Sequence, residues 1–178
     1  MAGNQVSATT PDSADAPALS AARVAALVKA RLGELWLPQL YQTLIKTKRT
    51  RAVPLPVPAR VNATEIWHTL LGIELQVGQR RIACPDLATA RYLAVFARLG
   101  CQAAALPYDI TQVSHLADEL ESAWQRMLLL VNEAAGTRGP GFLTRARSLL
   151  AREIREEIET MGAGPSVPEF RQNTKQRQ

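Results

Sequence analysis

Three carboxylates and a run of cations are the side chains whose type and placement could do chemistry. Asp86 follows Pro85 after an alternating apolar stretch, Asp109 follows a second such stretch, and Glu74 lies within the first. Carboxylates gathered at strand ends can hold a divalent cation that activates water. The cations are Lys46, Lys48, Arg49, Arg51 and Arg60, in a stretch without any acidic residue, joined by Arg80 and Arg81 further on. Clustered Lys and Arg neutralise phosphates, and the resulting affinity falls steeply with salt. The chain has 21 basic against 16 acidic residues and a net charge of +5, a balance that permits a polyanionic partner.

Other chemistries have little support. There is no phosphate-binding glycine loop, no HExxH and no CxxC, and His68 and His115 stand alone. Cys84 and Cys101 have neither the spacing nor the His partners of a zinc site, and as a pair they fit two separate thiols in a reducing compartment. No secretory leader and no apolar run of membrane-spanning length is evident, so a cytoplasmic protein is expected.

The elements that would position these residues follow from pattern. Residues 1–19 and 162–178 are polar and Pro- or Gly-containing and are expected to be disordered tails. Residues 20–161 are expected to form one α+β domain. Ser20 is an N-cap for a helix carrying Val24, Leu27, Val28 and Leu32, and Pro38 opens a second helix burying Leu40, Tyr41, Leu44 and Ile45. Residues 48–60 form a basic strap in which Pro54, Pro56 and Pro58 exclude a helix and a central strand and favour an extended connection, free to run along a sheet edge or to stay unpaired.

The core is expected at residues 61–109. Asn62 and Glu65 suggest a capping box, with Ile66, Trp67, Leu70 and Leu71 at helical spacing up to Gly72. Gly78-Gln79 is a glycine-first hairpin turn that pairs Val77 with Arg80, Leu75 with Ile82 and Ile73 with Cys84, leaving Glu74, Gln76 and Arg81 on the polar face. A helix opened by Pro85-Asp86 is apolar nearly all round, with Thr89, Arg91, Tyr92 and Arg98 left to face water. It returns the chain to a third strand, residues 102–106, parallel to the second. Asp86 and Asp109 would then share one sheet edge, with Cys84 and Cys101 about 16 Å apart at opposite edges.

Helix, strand, strand, helix, strand with acidic residues at strand ends resembles the core of PD-(D/E)xK nucleases, and Pro85-Asp86 supplies the literal "PD". The resemblance implies a Mg²⁺-dependent nuclease with Asp86, Asp109 and Glu74 as its carboxylates. The sequence departs from the pattern: no ExK tripeptide follows on a strand, and no Lys lies between residues 49 and 174.

Residues 110–161 are expected to form a helical hairpin. Val113, Leu116, Leu120, Ala123, Met127, Leu130 and Ala134 line its first helix, and Ala146, Leu150, Ile154 and Ile158 its second. The second helix is basic first (Arg145, Arg147, Arg152) and acidic later (Glu153, Glu156, Glu157, Glu159), so folding it back sets Glu157 level with Glu121 and Arg152 with Arg126. That mismatch favours pairing with a second copy, and a homo-oligomer through residues 113–161 is expected. The leading reading is a cofactor-free, non-enzymatic accessory or adaptor protein. It would self-associate and bind DNA or structured RNA through Lys46, Lys48, Arg49, Arg51, Arg60, Arg80 and Arg81. The nuclease-like enzyme is the alternative, and a purely protein-binding module the second.

Overall fold

The computed structural model describes residues 20–56, 64–161 and 167–170. Its class is α+β, with five helices and two three-stranded antiparallel sheets among these residues. Helix α1 (Ala21–Leu32) starts where Ser20 Oγ accepts the Arg23 N–H at 3.2 Å. Helix α2 (Leu37–Leu40) follows with Pro38 in its first turn and runs into a wider turn, Tyr41–Ile45, in which the Lys46 N–H reaches the Tyr41 carbonyl at 2.9 Å. Leu40, Tyr41 and Ile45 are buried, as their spacing requires.

Strands β2 (Thr64–Thr69), β3 (Gly72–Val77) and β4 (Arg80–Cys84) form one meander. The β3–β4 register is Val77 with Arg80, Leu75 with Ile82 and Ile73 with Cys84, and Gly78 takes the positive φ of 62° that a glycine-first turn needs. β2 corrects the expected helix over residues 62–72. Thr64, Ile66 and His68 alternate with Glu65, Trp67 and Thr69, so the run has period two, and Leu70-Leu71 is the turn that returns it to β3. Asn62 lies outside the described residues. The row Ile66, Leu75, Ile82 packs against the core, with α3 (Leu87–Arg98) across this face.

The second sheet has the order β1-β5-β6: β1 (Thr50–Pro54), β5 (Cys101–Pro107) and β6 (Glu169–Phe170). It corrects two expectations and decides one question the sequence left open. β5 is not a parallel neighbour of β4; it pairs antiparallel with β1 and β6, so among the described residues there are two sheets and no mixed one. The strap, free by sequence to pair or to stay unpaired, is an edge strand over 50–54, with Thr50 to Pro54 in register with Pro107 to Ala103. And residues 167–170, inside the expected disordered tail, dock Phe170 into the core opposite Cys101. The remaining tail positions, 1–19, 162–166 and 171–178, lie outside the described residues.

Why β1 tolerates proline is visible in its ladder. Arg49 O accepts the Tyr108 N–H at 3.1 Å, and the Leu55 N–H reaches Gln102 O at 2.7 Å. Hydrogen-bonding direction alternates along a strand. Odd positions therefore face β5, whereas Pro54 and Pro56 fall where an N–H would point outward. No ladder bond is lost, and the outer edge is deprived of donors.

Helix α3 is covered by the meander, by α4 (Val113–Ala135) and by β5, which explains its all-round apolarity. Thr89 and Tyr92 are therefore buried and do not face water; the Tyr92 hydroxyl donates to Ala105 O at 2.6 Å. Arg91 pairs with Asp118 at 2.8 Å and Glu121 at 2.6 Å. Helix α5 (Pro140–Thr160) and α4 both pack on α1. Lys29 reaches Glu153 at 2.6 Å and Glu157 at 2.5 Å, and the Trp36 indole N–H donates to Glu157 at 2.8 Å. Hence Glu157 faces Lys29 and Glu121 faces Arg91; the like-charge confrontation of the two helices does not arise. Their apolar stripes (Leu116, Leu120, Met127, Leu130; Leu150, Ile154, Ile158) are consumed inside the chain.

Candidate nucleic-acid interface

The basic stretch is drawn together by the β1–β5 pairing. Arg49 and Arg51 sit two positions apart beside β5, opposite Tyr108 and Leu106. The Arg49 guanidinium stacks over the Tyr108 ring, 5.1 Å from its centroid. Tyr108 is 56% exposed and Ile110 61%, so an aromatic and an aliphatic side chain stand in solvent beside the cations. Arg51 has no carboxylate partner among the described residues.

Two lysines frame this surface. Lys46 donates to the Met161 carbonyl just past the C-terminus of α5, the end where a cation is favoured. Lys48 donates to the Gln112 side chain. Each ammonium has three donors, so one internal bond leaves capacity for phosphate oxygens. Asp109 is a carboxylate nearby: its pKa is lowered by hydrogen bonds from the Thr111 hydroxyl, the Gln112 amide and the Thr111 N–H, with Lys48 adding attraction.

The other expected contacts are elsewhere. Arg81 lies on the meander, 3.4 Å from Glu74 and stacked over Trp67 at 4.7 Å, while Arg80 is exposed at the edge of β4. Arg60 lies outside the described residues. Thus Lys46, Lys48, Arg49 and Arg51 form the candidate site, with Tyr108 and Ile110 as candidate members that sequence reasoning missed. The signal for Tyr108 was its place directly after an apolar strand; its proximity to Arg49 is a long-range pairing that no local pattern encodes.

The carboxylates do not assemble. Asp86 ends the β4 segment and Asp109 the β5 segment, in different sheets, which corrects the expected shared edge. Asp86 Oδ1 accepts the Thr89 N–H at 2.7 Å as the N-cap of α3. Asp109 uses Oδ1 on Thr111 at 2.6 Å and Oδ2 on Gln112 at 2.5 Å, and Glu74 holds Arg81. Among the described residues no three His, Cys, Asp or Glu side chains are placed to hold a metal ion. The donor set therefore does not fit Mg²⁺. Replacing Asp86 with Ala is expected to lower stability by about 1 kcal/mol, the usual cost of losing an N-cap. Thermal melting checks this, with nucleic-acid affinity unchanged.

The two cysteines, both unpaired and buried, lie in different sheets. Burial pushes the Cys101 thiol up to about 12, so it stays protonated and inert in the native state. Among the described residues no helix is long and apolar enough to cross a membrane. Compared with protein-family models, curated protein sequences and solved structures, the chain matches none.

Proposed function

We propose that this chain is a non-enzymatic accessory protein that binds DNA or structured RNA along β1, through Lys46, Lys48, Arg49 and Arg51. The observation that carries the reading is the Arg49–Tyr108 stack on a strand edge rich in cations. Five of the thirteen other cations among the described residues, Lys29, Arg31, Arg81, Arg91 and Arg152, are already matched to carboxylates. Those along β1 are not, and phosphate is the partner whose charge and spacing suit them. Two unpaired buried thiols agree with a reducing, cytoplasmic setting.

Fluorescence anisotropy of labelled duplex DNA, single-stranded DNA and RNA tests this. Four phosphate contacts give a log–log salt slope near −3.6, so affinity should fall by about two orders of magnitude between about 50 and 200 mM salt. Absence of binding at low salt would remove the proposal and leave a protein-binding module.

A further inference from the structure

The edges of the two sheets are treated unequally. β1 has a proline at an outward position, Pro54, with Pro56 just beyond it, β6 is only two residues long, and β4 carries Arg80 and Arg81. These are three familiar ways of preventing strand addition. β2, the outer strand of the meander, has none of them: Thr64–Thr69 contains no Pro, Lys or Arg, and among the described residues no strand pairs with its outer side. Among the described residues, this strand and its turn hold the largest apolar exposure, with Trp67 42% exposed and the turn residues Leu70 and Leu71 at 106% and 95%. An open edge beside a wholly solvated Leu-Leu turn is a surface shaped for a partner strand.

We infer that β2 pairs antiparallel with β2 of a second copy, about a two-fold axis at Trp67, joining the two meanders into one six-stranded sheet. In this register Trp67 meets Trp67 of the other copy, Ile66 meets His68, Glu65 meets Thr69 and Thr64 meets Leu70. A two-fold perpendicular to the sheet keeps each side chain on its own face, so Ile66 and His68 extend the side covered by α3, and the tryptophans stack on the outer side. The strand's charge suits a second copy as the occupant: Glu65, its one carboxylate, opposes Thr69 and never itself, while the neighbouring cations are already placed, Arg81 over the Trp67 ring and Arg98 on the Thr64 hydroxyl. Each Leu70-Leu71 turn is carried onto the start of the other copy's β2 and out of water. The inference stands apart from the nucleic-acid reading, since it uses the other sheet.

Sedimentation equilibrium of the full chain, with a double L70D/L71D variant and a W67C variant, tests the pairing. Wild-type protein is expected to dimerise. L70D/L71D should raise the dissociation constant by about tenfold or more, since burial of even one leucine is worth that factor. Both leucines are wholly exposed in the single chain, so its circular dichroism melt should not move. W67C should form a disulfide-linked dimer under mild oxidation, against little background because Cys84 and Cys101 are buried. A wild-type chain that stays monomeric at its highest soluble concentration overturns the inference. So does a dimer indifferent to L70D/L71D in which W67C does not crosslink, because the interface would then lie elsewhere.

Discussion

Replacing Phe96 with Ala should lower the stability of this protein by about 3–5 kcal/mol, the range for removing a buried aromatic and leaving a cavity. Phe96 is buried on α3, between the two sheets and the helical layer. Its ring meets Tyr92 at 5.1 Å and Tyr41 edge-on at 6.4 Å, so truncation also removes two aromatic pairs. For a chain of this length the melting temperature should drop by about 6–20 °C. The two tyrosines sharpen the test because they have opposite expectations. The Tyr41 hydroxyl is buried with no hydrogen-bond partner among the described residues, and burial raises its pKa well above the ordinary phenol range. Tyr41→Phe removes an unsatisfied polar group and should be neutral or stabilising by about 1 kcal/mol. Tyr92→Phe loses the bond to Ala105 O and should destabilise by about the same amount. Denaturant melts of the three variants check the set; equal losses for both tyrosines would show that Tyr41 is satisfied after all.

The parts of this fold that were legible in sequence are those in which two local signals point the same way. Gly78-Gln79 and the alternation of Ile73, Leu75 and Val77 independently demand one register, and that register is found. Ser20, Asp86 and Gly136 mark the ends of helices whose apolar spacing already requires them. Thr64–Thr69 failed because Ile66, Trp67, Leu70 and Leu71 can be read at either period. Only the exposure of Leu70 and Leu71 shows that the helical reading counts turn residues as core. The pairing of the strap stayed open for a different reason. Proline is excluded from a central strand and allowed at an edge, and edge position is a property of the whole sheet. The polarity of α5 looked like a demand for a second copy because its compensation comes from Lys29 and Trp36, more than a hundred residues earlier. The candidate site divides in the same way: the cations of β1 are a local run, whereas their aromatic partner Tyr108 is joined to them only by strand pairing.

A triple variant with Lys48, Arg49 and Arg51 changed to Ala should lose about a hundredfold or more in affinity at low salt, and its salt slope should shrink from about −3.6 to about −0.9. The fold should tolerate it. Arg49 and Arg51 contribute to β1 through their backbone, which alanine preserves, and no carboxylate among the described residues pairs with either. Lys48 loses one exchangeable contact with Gln112. Asp109 loses the attraction of Lys48 but keeps its bonds from Thr111 and Gln112, so its carboxyl stays below the usual range. Being depressed on folding, it stabilises the native state above the unfolded carboxylate range, and that contribution disappears as pH falls through the depressed value. Binding measured near neutral pH is therefore free of this titration. Tyr108→Ala separates the possible ligands: a stacked unpaired base is worth about 1–3 kcal/mol, so single strands should lose about 5- to 150-fold while duplex binding changes little. If the triple variant binds as tightly as wild type while its slope is unchanged, β1 is not the site, and Arg80 with the arginines of α5 becomes the place where phosphate is held.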